Sequence, residues 1–302
     1  MTTIRQRILA AYLNRNELLA QAQGLAAVPD PAEKARFWAA YRTARSELAR
    51  LQPAPSTPPL LTDLPTEARP YLERLEGTSA FQDGFGGFEY RFMSVPIDRI
   101  CPLQMFSNLE PALSPPPVSD LDATLNYALP NDASIPGETV ITPAGFRFTS
   151  PRYGHGPQNL RRRLSGHQVV VSFEHVNLVQ VRRFGNTLVM FNGTHRAVEM
   201  WRAGITSIPA IVIEHQNPGE AEWPTGPGFF ATGFLLANPR QPPQGARPPL
   251  IPDLLSNLSV ECQITTTPTV VEVGFGGQQG AQPQAPQGIM IPLGGLQAIP
   301  GR

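Results

Sequence analysis

Apolar residues recur at helical spacing in some stretches of this chain and run together or alternate in others, which predicts an α+β fold. In residues 3–24, Ile4, Ile8, Leu9, Tyr12 and Leu13 share one helical face, Leu18 and Leu19 extend it, and Gly24 supplies a stop. Asp30, Pro31 and Glu33 then give a cap, a first-turn proline and an acid ahead of Phe37, Trp38, Tyr41, Ala44, Leu48 and Leu51. Together they predict an N-terminal helical hairpin over residues 1–52. Its aromatic face needs a cover: the core, a second copy of the chain or a protein partner. A linker and short helix follow over residues 53–80, then an aromatic and glycine turn over 81–88 and a strand over 89–100.

The pattern is densest in residues 188–213, LVMFNGTHRAVEMWRAGITSIPAIVI. An apolar strand ends at Asn192-Gly193-Thr194-His195-Arg196. Ala197, Met200 and Trp201 then recur at helical spacing, Gly204 is placed to end that helix in a left-handed conformation, and Ile208 to Ile213 read as a further buried strand. Residues 176–184 form a strand that meets the one before Asn192 across Gly185-Asn186, with glycine first in the turn, as a type II′ hairpin requires. The hairpin delivers Asn192 and Gly193 to one end of the sheet.

That end has a chemistry. The first turn of a helix leaves about four backbone N–H groups without partners and carries a partial positive charge, so a glycine turn opening onto it suits an anion. Arg196 adds a planar donor fork, and His195 can donate to an anion or exchange a proton near neutral pH.

The residues Gly193, Thr194, His195 and Arg196, followed by Ala197, Gly204, Ile208, Pro209 and Val212, resemble the G-x-H-R box and following segment of the ParB/sulfiredoxin superfamily. Ile100, Pro102 and Gln104 resemble the I-x-P-x-Q segment of ParB-like domains, whose strand end faces the nucleotide; Phe106 stands near the position of an arginine common in that family. The resemblance implies a ParB/sulfiredoxin-like mixed sheet over residues 81–274 and phosphate contacts from Asn192, Gly193, Thr194, His195, Arg196 and Gln104. It further implies Mg²⁺ carried with a nucleoside triphosphate, and hydrolysis or phosphoryl transfer in which His195 orients or protonates a phosphate oxygen. Glu174 is the candidate base, and Glu199 a second carboxylate expected on the far side of the helix. Sulfiredoxins carry a reactive cysteine where this chain has Thr194, so their thiosulfinate chemistry is not expected. The second nucleotide motif and helix-turn-helix of the partitioning clamps are missing after Ile213.

Composition narrows the rest. The formal charge is zero, which disfavours bulk attraction to nucleic acid and leaves phosphate recognition to local groups. The 34 prolines cluster between the elements, and residues 108–165 read as a proline-rich insertion ending in a loop with Arg152, His155 and Arg161 to Arg163. Residues 256–264 and 270–274 are expected to pair as late strands. Residues 275–302, rich in Gln, Gly and Pro, bury too little apolar surface to offset their ordering entropy and read as a disordered tail. Only two cysteines are present and no spacing suggests a metal site; no apolar run approaches a membrane span, so a cytoplasmic protein is expected. Two further readings stand beside the phosphate one: a non-catalytic interaction protein using the hairpin and tail, and a ParB-like nuclease.

Overall fold

A computed structural model of the chain describes residues 2–21, 31–51, 57–109, 115–116, 120–131, 138–142, 145–150, 160–165, 168–173, 177–224, 228–236, 247–266, 269–274 and 289–292. The fold is mixed α and β, and the chain divides into two compact units. The larger holds residues 3–131 and 177–264; the smaller holds 132–176, 265–302 and the first two residues.

A six-stranded mixed sheet organises the larger unit, in the order Thr62–Asp63, Arg91–Pro96, Ser207–His215, Gln180–Phe184, Thr187–Asn192, Ile100–Pro102. Ser207–His215 runs parallel to Gln180–Phe184 and antiparallel to Arg91–Pro96, while Thr187–Asn192 runs parallel to Ile100–Pro102. Ile208 to Ile213 are all buried, so both faces of the sheet centre are covered, and the strand reads as a continuous apolar run for that reason. Gly185 has φ +58°, the left-handed backbone that a primed two-residue turn demands, and Phe184 pairs with Thr187 across it. The strand expected over 89–100 is broken after Pro96 by a 3-10 turn, Ile97–Arg99, before the chain enters the far edge of the sheet at Ile100. The aromatic and glycine stretch is helical first: Thr78 caps Ser79–Phe85 by accepting from Phe81 N–H, and the turn follows.

The N-terminus departs from the helix expected there. Thr2–Ile8 is a strand, lying between Val260–Thr266 and Phe106–Asn108 in a three-stranded sheet. Gln6 sits opposite Asn108 and its side-chain amide donates to Asn108 Oδ1 at 2.9 Å. Ile8 to Leu13 are then buried without a break as the chain passes through a 3-10 turn, Ala10–Tyr12. The helical spacing of Ile8, Leu9, Tyr12 and Leu13 therefore comes from continuous burial, not from one face of a helix. A helix begins only at Arg15–Gln21. Asn14 Oδ1 accepts from the amides of Asn16 and Glu17, while Glu17 Oε2 accepts from Asn14 N–H, a reciprocal cap.

The second helix, Pro31–Leu48, forms as expected. It packs on the 3-10 turn through Ala44 and Leu48, with Tyr41 donating to the Leu13 carbonyl and Arg45 to that of Ala11. The N-terminal segment is tied down further by Asp253. Its carboxylate accepts from Tyr12 Oη at 2.8 Å, from Leu250 N–H at 2.8 Å and from both ends of the Arg247 guanidinium at 2.8 and 2.6 Å.

Part of the expected insertion belongs to the larger unit. Leu121–Ala128 is a helix, capped by Asp120 accepting from Ala123 N–H, and it packs on Ser207–His215. In the smaller unit a four-stranded sheet runs Ile289–Pro292, Thr269–Gly274, Gly145–Ser150, Glu138–Thr142, beside a hairpin of Leu160–Ser165 and Gln168–Phe173. The late strands expected to pair with each other thus join different sheets. The loop with Arg152 and His155 lies outside the described residues, as does the tail apart from Ile289–Pro292. Among the described residues no helix is long and apolar enough to cross a membrane.

Candidate functional site

The helix Thr194–Arg202 begins where the pattern placed it, straight off the strand Thr187–Asn192. Gly193 is its N-cap residue at φ +100°, ψ 10°, and a Cβ there would lie 2.8 Å from Val179 Cγ2. Glycine is required twice over, by the left-handed backbone and by the close approach of Val179. The far end follows the expected stop. Gly204 has φ +81°, its N–H bonds the Trp201 carbonyl and the Ile205 N–H bonds that of Met200, a Schellman arrangement with Ile205 buried behind it.

Arg196 turns its guanidinium to main-chain carbonyls. Its side chain is buried, with Nη1 donating to the Ala128 carbonyl at 2.8 Å and Nη2 to the Asn177 carbonyl. Ala128 is the last residue of the helix Leu121–Ala128, where the helix dipole is negative, so the cation is well placed there. The guanidinium expected to contact phosphate is instead a strut joining three segments. The physical reason is burial: the charge needs its desolvation offset, and the carbonyls of a helix end and a loop supply the acceptors.

His195 is different. The residue as a whole keeps some exposure, but its Nε2 is buried and has no hydrogen-bond partner among the described residues, and the ring stands edge-on to Phe106 at 6.2 Å between centroids. Burial, with Arg196 beside it, lowers its pKa to about 4, so the ring is neutral at physiological pH. A neutral imidazole donates one N–H; it is not a proton donor of matched acidity, and the expected protonating role is withdrawn. The amides of Gly193, Thr194 and His195 find no acceptor among the described residues.

The remaining candidates scatter. Thr194 is buried and Asn192 half-buried at the strand end. Gln104 lies on a segment stitched to the sheet by Leu103 N–H to Met190 O, but Gln104 itself bridges to Phe229; Phe106, two residues on, is what reaches His195. Glu174 lies outside the described residues. Glu199 is buried, not outward-facing, and takes Arg202 Nη1 on both carboxylate oxygens at 2.9 Å. Among the described residues no three His, Cys, Asp or Glu side chains gather as a metal site. The contacts that sequence reasoning missed are the Ala128 and Asn177 carbonyls. No residue type announces them, because any residue has a carbonyl.

No protein-family model, no curated protein and no solved structure matches this chain.

Proposed function

We propose that the chain is a phosphate-binding, ParB/sulfiredoxin-like protein that holds an oxyanion, such as the phosphate of a nucleotide, at the start of the helix Thr194–Arg202 without turning it over. The observation that carries this reading is the helix start itself, where the amides of Gly193, Thr194 and His195 have no acceptor among the described residues; the Nε2 of His195, on the same turn, is also without a partner there. Helix-start amides favour negative charge, and a buried unpaired nitrogen favours a ligand that completes it. Arg196 contributes by fixing the helix start against Ala128 and Asn177. No step is assigned to a base or a metal, since Glu174 is outside the described residues and no carboxylate cluster accompanies the site among them; Mg²⁺ would arrive on the phosphates of a nucleoside triphosphate.

The test is a thermal shift with ATP, CTP, GTP and inorganic phosphate, each with Mg²⁺, on the wild type and on His195→Leu. A shift in the wild type, lost in His195→Leu and accompanied by no phosphate release, supports the reading. Phosphate release would return the enzyme reading, and nicking of plasmid DNA in the same buffers the nuclease. No shift with any of the four favours the interaction-protein reading, for which the inward use of Arg196 already speaks.

A further inference from the structure

A second arginine, the half-buried Arg182 on the strand Gln180–Phe184, lies outside the helix-start site and is held unlike Arg196. Its guanidinium is sandwiched between the rings of Phe88 and Phe191, 5.1 and 5.2 Å from the two centroids. One edge, Nη1, meets His215 Nε2 at 3.2 Å. The His215 ring stacks on Phe184 at 5.2 Å, and Phe184 stacks in turn on Trp223 at 5.2 Å. The other edge of the fork has no acceptor among the described residues: Nε is buried and unpartnered, and Nη2 takes part in no hydrogen bond. The carboxylate nearest this cluster, Glu220, addresses His215 Nδ1 at 3.7 Å and not the arginine.

A half-buried cation whose Nε is shut off from water and has no counter-ion among the described residues is costly, and a neutral imidazole does not offset the lost solvation. Burial alone holds the Arg182 guanidinium below its ordinary pKa, with no acid raising it. The charge is one short of balanced. The free Nε and Nη2 edge is the side-on fork that pairs bidentately with a planar oxyanion, and the surrounding rings suit an apolar body. A single guanidinium balances a carboxylate, whereas a phosphate dianion would stay half-unpaired.

Phe88 explains the access. It is 45% exposed, follows Gly86 and Gly87 at the end of the aromatic and glycine turn, and a side chain at Gly87 would meet nothing within 4 Å. The ring covers the guanidinium and is itself open to solvent.

We propose that Arg182 anchors a binding site for a carboxylate carried on an aromatic or apolar body, with Phe88 as its cover and Phe191 as its floor. The experiment is isothermal titration of the full chain near neutral pH with phenylacetate, 2-phenylacetamide and phenyl phosphate. Phenylacetate is expected to bind at least about tenfold more tightly than either, the worth of one charge-assisted pair. Arg182→Met is expected to erase that preference, Arg182→Lys to weaken it about tenfold by losing the fork, and Phe88→Ala to keep it while speeding association. Should one variant fail to fold, the other two decide. A short peptide ending in a free phenylalanine carboxylate, against its amide, separates the sources: tighter binding than phenylacetate points to chain ends, equal binding to small acids. Equal binding of acid and amide by the wild type, a preference for phenyl phosphate, or a preference that survives Arg182→Met overturns the proposal.

Discussion

Two arginines leave the same hairpin-and-helix unit, Arg196 buried and Arg182 half-buried, yet they do opposite things. Arg196 stands in the recognisable box and spends its donors on the carbonyls of Ala128 and Asn177. Arg182 stands in no motif and keeps one edge of its fork without an acceptor among the described residues, between two aromatic rings. A functional charge is recognised by what its partners leave over, not by the motif around it.

The largest effect expected from breaking this contrast is at Arg196. Arg196→Met takes from the Ala128 carbonyl one of its two donors and from the half-buried Asn177 carbonyl its guanidinium, and it loosens the helix start, so urea unfolding should show a loss of about 3 kcal/mol. A loss below about 1 kcal/mol would mean the strut is not structural.

Next comes pH. His195 has a folded pKa of about 4 against an ordinary 6.5, so the unfolded chain takes up its proton first as pH falls. The stability it contributes is complete above 6.5 and is lost as pH drops from there towards about 4, by at most roughly 3 kcal/mol. Unfolding curves of the wild type and His195→Gln should therefore converge or cross in that window; parallel curves would contradict a buried neutral ring.

Gly193→Ala should cost about 1 to 3 kcal/mol, since it combines a left-handed φ with a Cβ 2.8 Å from Val179 Cγ2. Arg182→Met is the sharpest comparison with Arg196→Met: removing an uncompensated cation should leave the melting temperature unchanged or raise it by a few degrees. A clear drop would show that the ring sandwich alone holds the charge at a profit. Smallest is Arg183→Gln, whose partner Glu214 is exposed and 3.1 Å away; a change within about 0.5 kcal/mol is expected from equilibrium unfolding.

How much of this was legible depended on how far each residue's partners lie along the chain. The hairpin turn at Gly185, the helix Thr194–Arg202 with its left-handed stop at Gly204, and the buried strand after it were all readable, because their determinants are neighbours. Thr2–Ile8 was not, since it is a strand only by virtue of Phe106–Asn108 and Val260–Thr266. The box residues were legible as a helix start but not as a site. Arg196 looks like a phosphate ligand until the Ala128 carbonyl, 68 positions away, claims it. Phe88, Phe191 and His215 converge on Arg182 from three separate elements, and nothing local to any of them signals the others.

The three-stranded sheet has a consequence for how the chain is made. Its middle strand, Thr2–Ile8, leaves the ribosome more than 250 residues before one of its two edges, the segment Val260–Thr266. Thr2–Ile8 must wait, half-clasped by Phe106–Asn108 at best, until Val260–Thr266 has been synthesised, and closure over so long a separation is slow. A ribosome stalled before residue 260 would carry a nascent chain whose first strand remains open on one side, a ready target for chaperones.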